Sequence, residues 1–173
     1  MPPKKLPVDE QFTINFKNNG GKFIYCISEN EINENFNNIL IENNWLSSNA
    51  LCFNEKLKKQ FSSFNIHFKN ENPAFFLTNC EGLIANKGSI LICSNQIKEQ
   101  KINSLPEHFI LFATTSQLKE NISDGLRAIK NNSKNGIPTN ITTLKHFKYS
   151  EEKDFMSYGS STKNLYLLLL EDL

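Results

Sequence analysis

Glu81 keeps unusual company. It lies in NCEGLIANKGSILICSNQ, Asn79–Gln96, where glycines, a lysine and a serine interrupt two apolar runs. A carboxylate in such a segment can act as acid, base or nucleophile, and Glu81 is the candidate catalytic residue. Gly82 and Gly88 allow positive φ or close approach to the backbone. Asn86, Lys87 and Ser89 are free to face solvent or a ligand, and backbone N–H groups with the Lys87 charge suit a small anion or carboxylate. The plain alternative is a strand connection with turn glycines and solvated polar residues. The G-x5-G spacing matches no phosphate-loop or dinucleotide pattern. Cys80 adjoins Glu81, and a reactive thiol there needs a nearby positive charge such as Lys87.

Two further stretches have anion-binding composition. ATTSQ, Ala113–Gln117, puts Thr114, Thr115 and Ser116 between an apolar run and an expected helix, where free N–H donors and hydroxyls can meet an anion or simply cap the helix. SYGSSTKN, Ser157–Asn164, offers Gly159, Ser160 and Ser161, a composition equally ordinary for a loop. The histidines form no site in sequence. His108 precedes the most apolar run and reads as structural. No nucleophile-elbow pattern accompanies a Ser-His-Asp order. Cys26, Cys52 and Cys93 fall in expected strands and read as small buried apolar residues.

These residues need elements to hold them. The first twenty residues read as an N-terminal arm with a short helical piece near Gln11–Phe16, and residues 21–173 as one domain. KFIYCIS, Lys22–Ser28, is a strand pattern. Ser28 and Glu31 form a capping-box signature before a helix whose Ile32, Phe36, Ile39 and Leu40 share one face, ending near Asn43 and Asn44. Ala50–Phe53 reads as a strand, and Asn54 caps a helix with Leu57, Phe61 and Phe64 inward. Asn65–Phe68, Ala74–Thr78 and Ser89–Ser94 are strand material. HFILFATT, His108–Thr115, is the strongest buried strand. A helix with Leu118, Ile122, Leu126 and Ile129 on one stripe is expected after it, capped by Thr115 or Ser116. Asn131–Asn140 is loop, and NLYLLLL, Asn164–Leu170, is a strand too apolar for an exposed edge. Strands alternating with amphipathic helices give an α/β, three-layer α/β/α architecture with a mostly parallel sheet. In such sheets ligands gather beyond the C-terminal ends of the strands.

Composition narrows the classes. With 173 residues the chain is long enough to bury a core without staples. A formal charge of +1 and a single arginine, Arg127, leave no basic stripe to follow a phosphate backbone, so nucleic acid is not expected as a partner. The abundance of asparagine reads as drift in an AT-rich genome and weakens propensity arguments. The four cysteines contain no C-x-x-C pair and no histidine cluster joins them, so neither a metal site nor a cofactor is expected. LYLLLL, the longest apolar run, is too short to span a bilayer. The N-terminus has no apolar signal core. A cytoplasmic location with reduced thiols is the expectation.

CEGLIANKGSILIC, LPEHFILFATTSQL and NLYLLLLEDL together resemble the LUD-domain family, of the lactate-utilization protein C (LutC/YkgG) type. That family has an acidic residue before a gIA-x-x-G-T/S segment and strand, matched by Glu81, Gly82, Ile84, Ala85, Gly88 and Ser89. Its LP-x-H-I strand is matched by Leu105, Pro106, His108 and Ile110, running on to Ser116, and Gly159, Ser160 and Ser161 echo its C-terminal Gly-Pro-Ser loop. The resemblance covers roughly Gly20 to Leu173. It implies a NagB/RpiA/CoA-transferase-like fold and a bacterial, cytoplasmic accessory role in lactate or related 2-hydroxy-acid oxidation beside iron–sulfur or flavin oxidoreductase partners. The wider superfold implies the alternative, an enzyme or binder of a phosphate-, carboxylate- or CoA-type ligand. Asn86 and Lys87 differ from the family's acid and threonine, and the proline and later Gly-x-His-Gly-Pro segment of the C-terminal loop are missing.

Overall fold

The computed structural model describes residues 6–133, 136–147 and 163–172. Its first element is helix α1, Val8–Asn18, which starts after Pro7 with Asp9 and Glu10 in its first turn and Lys17 in its last, charges that suit the helix dipole. Phe12 and Phe16, one turn apart, are fully buried and stack at 5.2 Å. The arm, expected to hold a short helical piece near Gln11–Phe16, is therefore a longer helix anchored in the core, because four-residue spacing puts both rings on one face. Strand β1, Lys22–Cys26, follows.

Helix α2, Glu29–Glu42, begins where the Ser28 hydroxyl accepts the Glu31 N–H. The Glu31 carboxylate accepts from Ile27 N at 2.6 Å, one residue before the cap, so the reciprocal half of the box is displaced. Strand β2 is Asn49–Leu51, and helix α3, Glu55–Gln60, is capped by Asn54, which accepts from Leu57 N. Strands β3, His67–Phe68, and β4, Phe75–Thr78, come next. They are followed by β5, Gly82–Ile84, β6, Ser89–Ile92, and the short helix α4, Ser94–Ile97. Strand β7 is His108–Thr114 and β8 is Leu118–Lys119. Helix α5, Ile122–Asn132, and strands β9, Thr142–Leu144, and β10, Asn164–Leu170, complete the order.

Six strands form one sheet in the order β1-β10-β7-β4-β2-β3, and every pairing in it is parallel. The unbroken apolar runs of β7 and β10 follow from burial on both faces. Phe109, Leu111, Ala113, Leu165, Leu167 and Leu169 face one core; Ile110, Tyr166 and Leu168 face the other. The second core is closed by α2 and α3, through Ile32, Phe36, Ile39, Leu40, Leu57 and Phe61. The first is closed by α1 and a smaller sheet of order β8-β5-β6-β9. This is an α/β fold, a mostly parallel sheet flanked by helices, consistent with a three-layer α/β/α arrangement. None of the helices in the described residues is long and apolar enough to cross a membrane.

Between β7 and α5 the chain departs from the expected single helix. Thr115–Gln117 make one 3-10 turn, Leu118 and Lys119 pair with Leu83 and Ile84 of β5, and Asn121 caps α5 by accepting Asp124 N at 2.9 Å. The buried face of α5 carries Gly125 and Ile129, while Ile122 and Leu126 are 38% and 41% exposed. A Cβ on Gly125 would lie 2.9 Å from Ile84 Cδ1 and 3.0 Å from Leu91 Cδ2, so the helix settles on the small sheet through a glycine. Reading the apolar stripe as the inner face misses this, because close packing here selects the smallest residue.

Candidate functional site

The C-terminal ends of the parallel strands lie along one edge. Thr78, the last residue of β4, pairs with Leu111, so β7 continues three residues further to Thr114. Asn79 and Cys80 run on beside that extension, and Gln117 donates through Nε2 to Cys80 O at 2.7 Å. The Glu81 segment and the Thr114–Ser116 turn are thus neighbours on the edge where the fold class gathers ligands.

Asn79–Gly88 is not a single loop. Residues 82–84 are β5, paired antiparallel with β6 as Gly82↔Leu91, Leu83↔Ile90 and Ile84↔Ser89. The pairing slips at Glu81, whose N–H donates to Leu91 O at 2.8 Å although Gly82 is the partner of Leu91. Such a β-bulge exchanges the faces of all residues beyond it. Without it Glu81 would point with Leu83 into the core. With it Cys80 is buried and Glu81 is half-exposed.

The carboxylate is then held on one side. Glu81 Oε1 accepts from Asn95 Nδ2 at 2.5 Å and from Cys93 Sγ at 3.2 Å, and Oε2 takes no hydrogen bond from the described residues. Cys93 is itself fixed as the cap of α4: its N–H donates to Gln96 Oε1 at 2.8 Å and its sulfur accepts from Asn95 N. Desolvation is the main reason its thiol rises. The Asn95 N–H opposes that rise, the hydrogen bond and charge of Glu81 add to it, and the thiol stands at about 12. Burial, then the Glu81 charge, push Cys80 up as well. Both sulfurs are protonated at neutral pH. Cys93 can donate to Glu81, and neither is an activated nucleophile. The arrangement orients a carboxylate with one oxygen available to accept a proton.

The Thr114–Ser116 turn has its donors engaged by the chain itself. Asp172, two residues beyond β10, accepts through Oδ1 from Thr115 Oγ1 and Ser116 N, both at 2.8 Å, and through Oδ2 from Ser116 Oγ at 2.6 Å. The Thr114 hydroxyl lies 3.0 Å from that of Ser116, and Thr114 N donates to Gln117 Oε1. The Ser116 hydroxyl contributes most to lowering the Asp172 carboxyl, desolvation opposes it, and Thr115, the Ser116 N–H and Thr114 bring it to about 2. An anion expected from solution has its counterpart here in an internal carboxylate.

Asn86, Lys87, Gly88 and Ser89 lie at the other end of β5, from roughly 10 Å (Ser89, opposite Ile84) to roughly 16 Å (Asn86) from Glu81 at about 3.3 Å per residue. Asn86 and Lys87 are exposed, Gly88 and Ser89 buried. Asn15 of α1 donates to Ala85 O at 2.9 Å, and Asn19 donates to Lys87 O at 2.8 Å and Gly88 O at 3.1 Å. Gly88 has φ +62°, and a Cβ there would lie 2.3 Å from Asn15 C. The turn glycine serves close packing of α1 on the hairpin. Gly159, Ser160 and Ser161 lie outside the described residues. His108, at the start of β7 and hence at the opposite sheet edge, bonds through Nδ1 with Asn164 Nδ2 at 2.8 Å, and its ring lies 5.1 Å from that of Trp45. Among the described residues no group of three or more His, Cys, Asp or Glu is placed to hold a metal ion.

Asn95 and Asp172 join the edge without a warning in the sequence. Asn95 is one of many asparagines, and Asp172 meets the Thr115 turn across 57 residues of sequence.

The family model for the LUD domain matches residues 10–169. The chain belongs to the LUD-domain family. Its fold is also similar to the crystal structure of a DUF162 family protein from Deinococcus radiodurans, with 13% identity over 97% of this chain and 100% of that one and a TM-score of 0.63. At that identity the likeness speaks for the fold alone. No curated protein matches this LUD-domain chain.

Proposed function

We propose that this LUD-domain protein is an accessory component of lactate or related 2-hydroxy-acid oxidation, working by assembly with iron–sulfur or flavin oxidoreductase proteins in the cytoplasm. The family match over residues 10–169 carries the reading. Two local features support it. The donors at Thr115 and Ser116 already serve Asp172, and Asn15 of α1 and Asn19 just after it occupy carbonyls of the hairpin turn. Affinity purification of the tagged full chain from its native cells, under conditions that protect clusters and flavin, is expected to recover such an oxidoreductase with its lactate-oxidising activity. Repeated recovery of the chain alone overturns the reading.

A second reading draws on Glu81, whose Oε1 is fixed by Asn95 and Cys93 while Oε2 accepts no described hydrogen bond. In this reading Glu81 serves as a general base toward a small phosphate, carboxylate or CoA-type ligand. A thermal-shift panel of these anions should then raise the melting temperature of the wild type, with Glu81→Gln altering the response. No stabilisation across the panel removes this second reading and leaves the first intact.

A further inference from the structure

A cleft of about 360 Å³ opens between the start of α1, β1 and the turn after β7, lined by Val8, Asp9, Tyr25, Thr115, Leu118 and Glu171. Its volume falls within the range of small-molecule sites. Its position is set by the sheet: Tyr25 is the penultimate residue of β1, Glu171 directly follows β10, and Thr115 directly follows β7. All three strands are parallel, so the cleft lies at the same C-terminal edge as Glu81 but over β1, β10 and β7.

The lining has three kinds of surface. Val8 and Leu118 are apolar. Tyr25 is 45% exposed and offers an aromatic ring. Asp9 and Glu171 bring carboxylates, and among the described residues no lysine or arginine lines the cleft. Desolvation, then the hydrogen bond and charge of Glu171, then the charge of Asp9, all raise the Tyr25 phenol. The two carboxylates therefore act on one aromatic group from α1 and from the end of β10. The backbone holds this wall in place, since Glu171 N donates to Cys26 O at 2.9 Å and Asp172 is pinned to the turn beside it. Among the described residues of the lining no cation offers an anion a counter-charge, and the Thr115 hydroxyl in the wall already donates to Asp172.

We propose that this cleft binds a small organic cation with an apolar body, its positive charge facing Asp9 and Glu171 and its carbon atoms against Val8, Leu118 and the Tyr25 ring. A positive charge gains from both carboxylates and from the negative face of an aromatic ring, whereas a neutral molecule of the same shape gains only the apolar contact. The site is separate from the partner-protein reading and from Glu81, and neither depends on it.

The test compares choline with its uncharged isostere 3,3-dimethylbutan-1-ol, titrated into the full-length protein at low salt and followed by amide and side-chain NMR shifts. Choline is expected to move the resonances of Tyr25 and Leu118 with saturation, and the alcohol to bind about fivefold more weakly or less. Glu171→Gln is expected to weaken choline by about threefold while leaving the alcohol unchanged, and added salt should act in the same direction as that substitution. Equal binding of the two probes, no saturable shift with choline, or shifts confined to other parts of the molecule each overturn the proposal. The wild-type comparison decides even if a variant folds poorly.

Discussion

The two ends of the β5–β6 hairpin have similar composition and opposite character. At the turn, Ala85–Gly88, backbone carbonyls are bonded by Asn15 and Asn19, and Gly88 leaves no room for a Cβ. At the base, a one-residue slip turns Glu81 out of the core and leaves one carboxylate oxygen without a described hydrogen bond. The difference teaches that glycine and asparagine mark close packing at one end, while the chemistry at the other rests on a register change.

Substitutions can break this contrast, beginning with the closed end. Gly88→Ala combines a positive φ with a Cβ 2.3 Å from Asn15 C, and is expected to cost about 3 kcal/mol or more in urea unfolding. A stable variant would mean that α1 moves away from the hairpin easily. Asn15→Ala removes the donor to Ala85 O and should cost about 1–2 kcal/mol by the same assay; no loss would indicate that water replaces the amide.

The sheet edge offers a pH test. Because the folded Asp172 carboxyl is lowered to about 2, its contribution to stability is present above the ordinary carboxylate value of about 4 and is lost as pH falls through the folded value. NMR titration should place the midpoint near 2, and Asp172→Asn should flatten that part of the acid unfolding curve. An unshifted midpoint would show that the Ser116 and Thr115 bonds do not persist in solution. The smallest effect on stability belongs to the open end. Glu81→Gln keeps an acceptor for Asn95 and should change stability by less than about 0.5 kcal/mol at neutral pH. It should move the Cys93 titration, followed by thiolate absorbance, downward from about 12, since the Glu81 charge and hydrogen bond both favour the protonated thiol.

Local patterns carried far in this molecule. The caps at Ser28 and Asn54, the inward faces of α2 and α3, and the doubly buried strands at 108–114 and 164–170 all follow from residue types at regular spacing. They were legible because each depends on neighbours within a turn or a strand. The α1 helix was less legible, since its asparagines are poor helix formers and only the core contacts of Phe12 and Phe16 reward it. Strand β8 was hidden because Leu118 also fits a helical stripe, and only its pairing with Leu83 decides the matter.

By itself the sequence determined the alternation of strands and amphipathic helices, the doubly buried centre of the sheet and the candidate residues Glu81, Thr115 and Ser116. Tertiary structure alone decided that Lys87 and Glu81 sit at opposite ends of a hairpin and that Asp172 meets the Thr115 turn from 57 residues away. The physical reason is that periodicity encodes which face a residue takes within its own element. A bulge, a cleft or a carboxylate–hydroxyl contact depends on separate segments that meet only when the sheets are assembled.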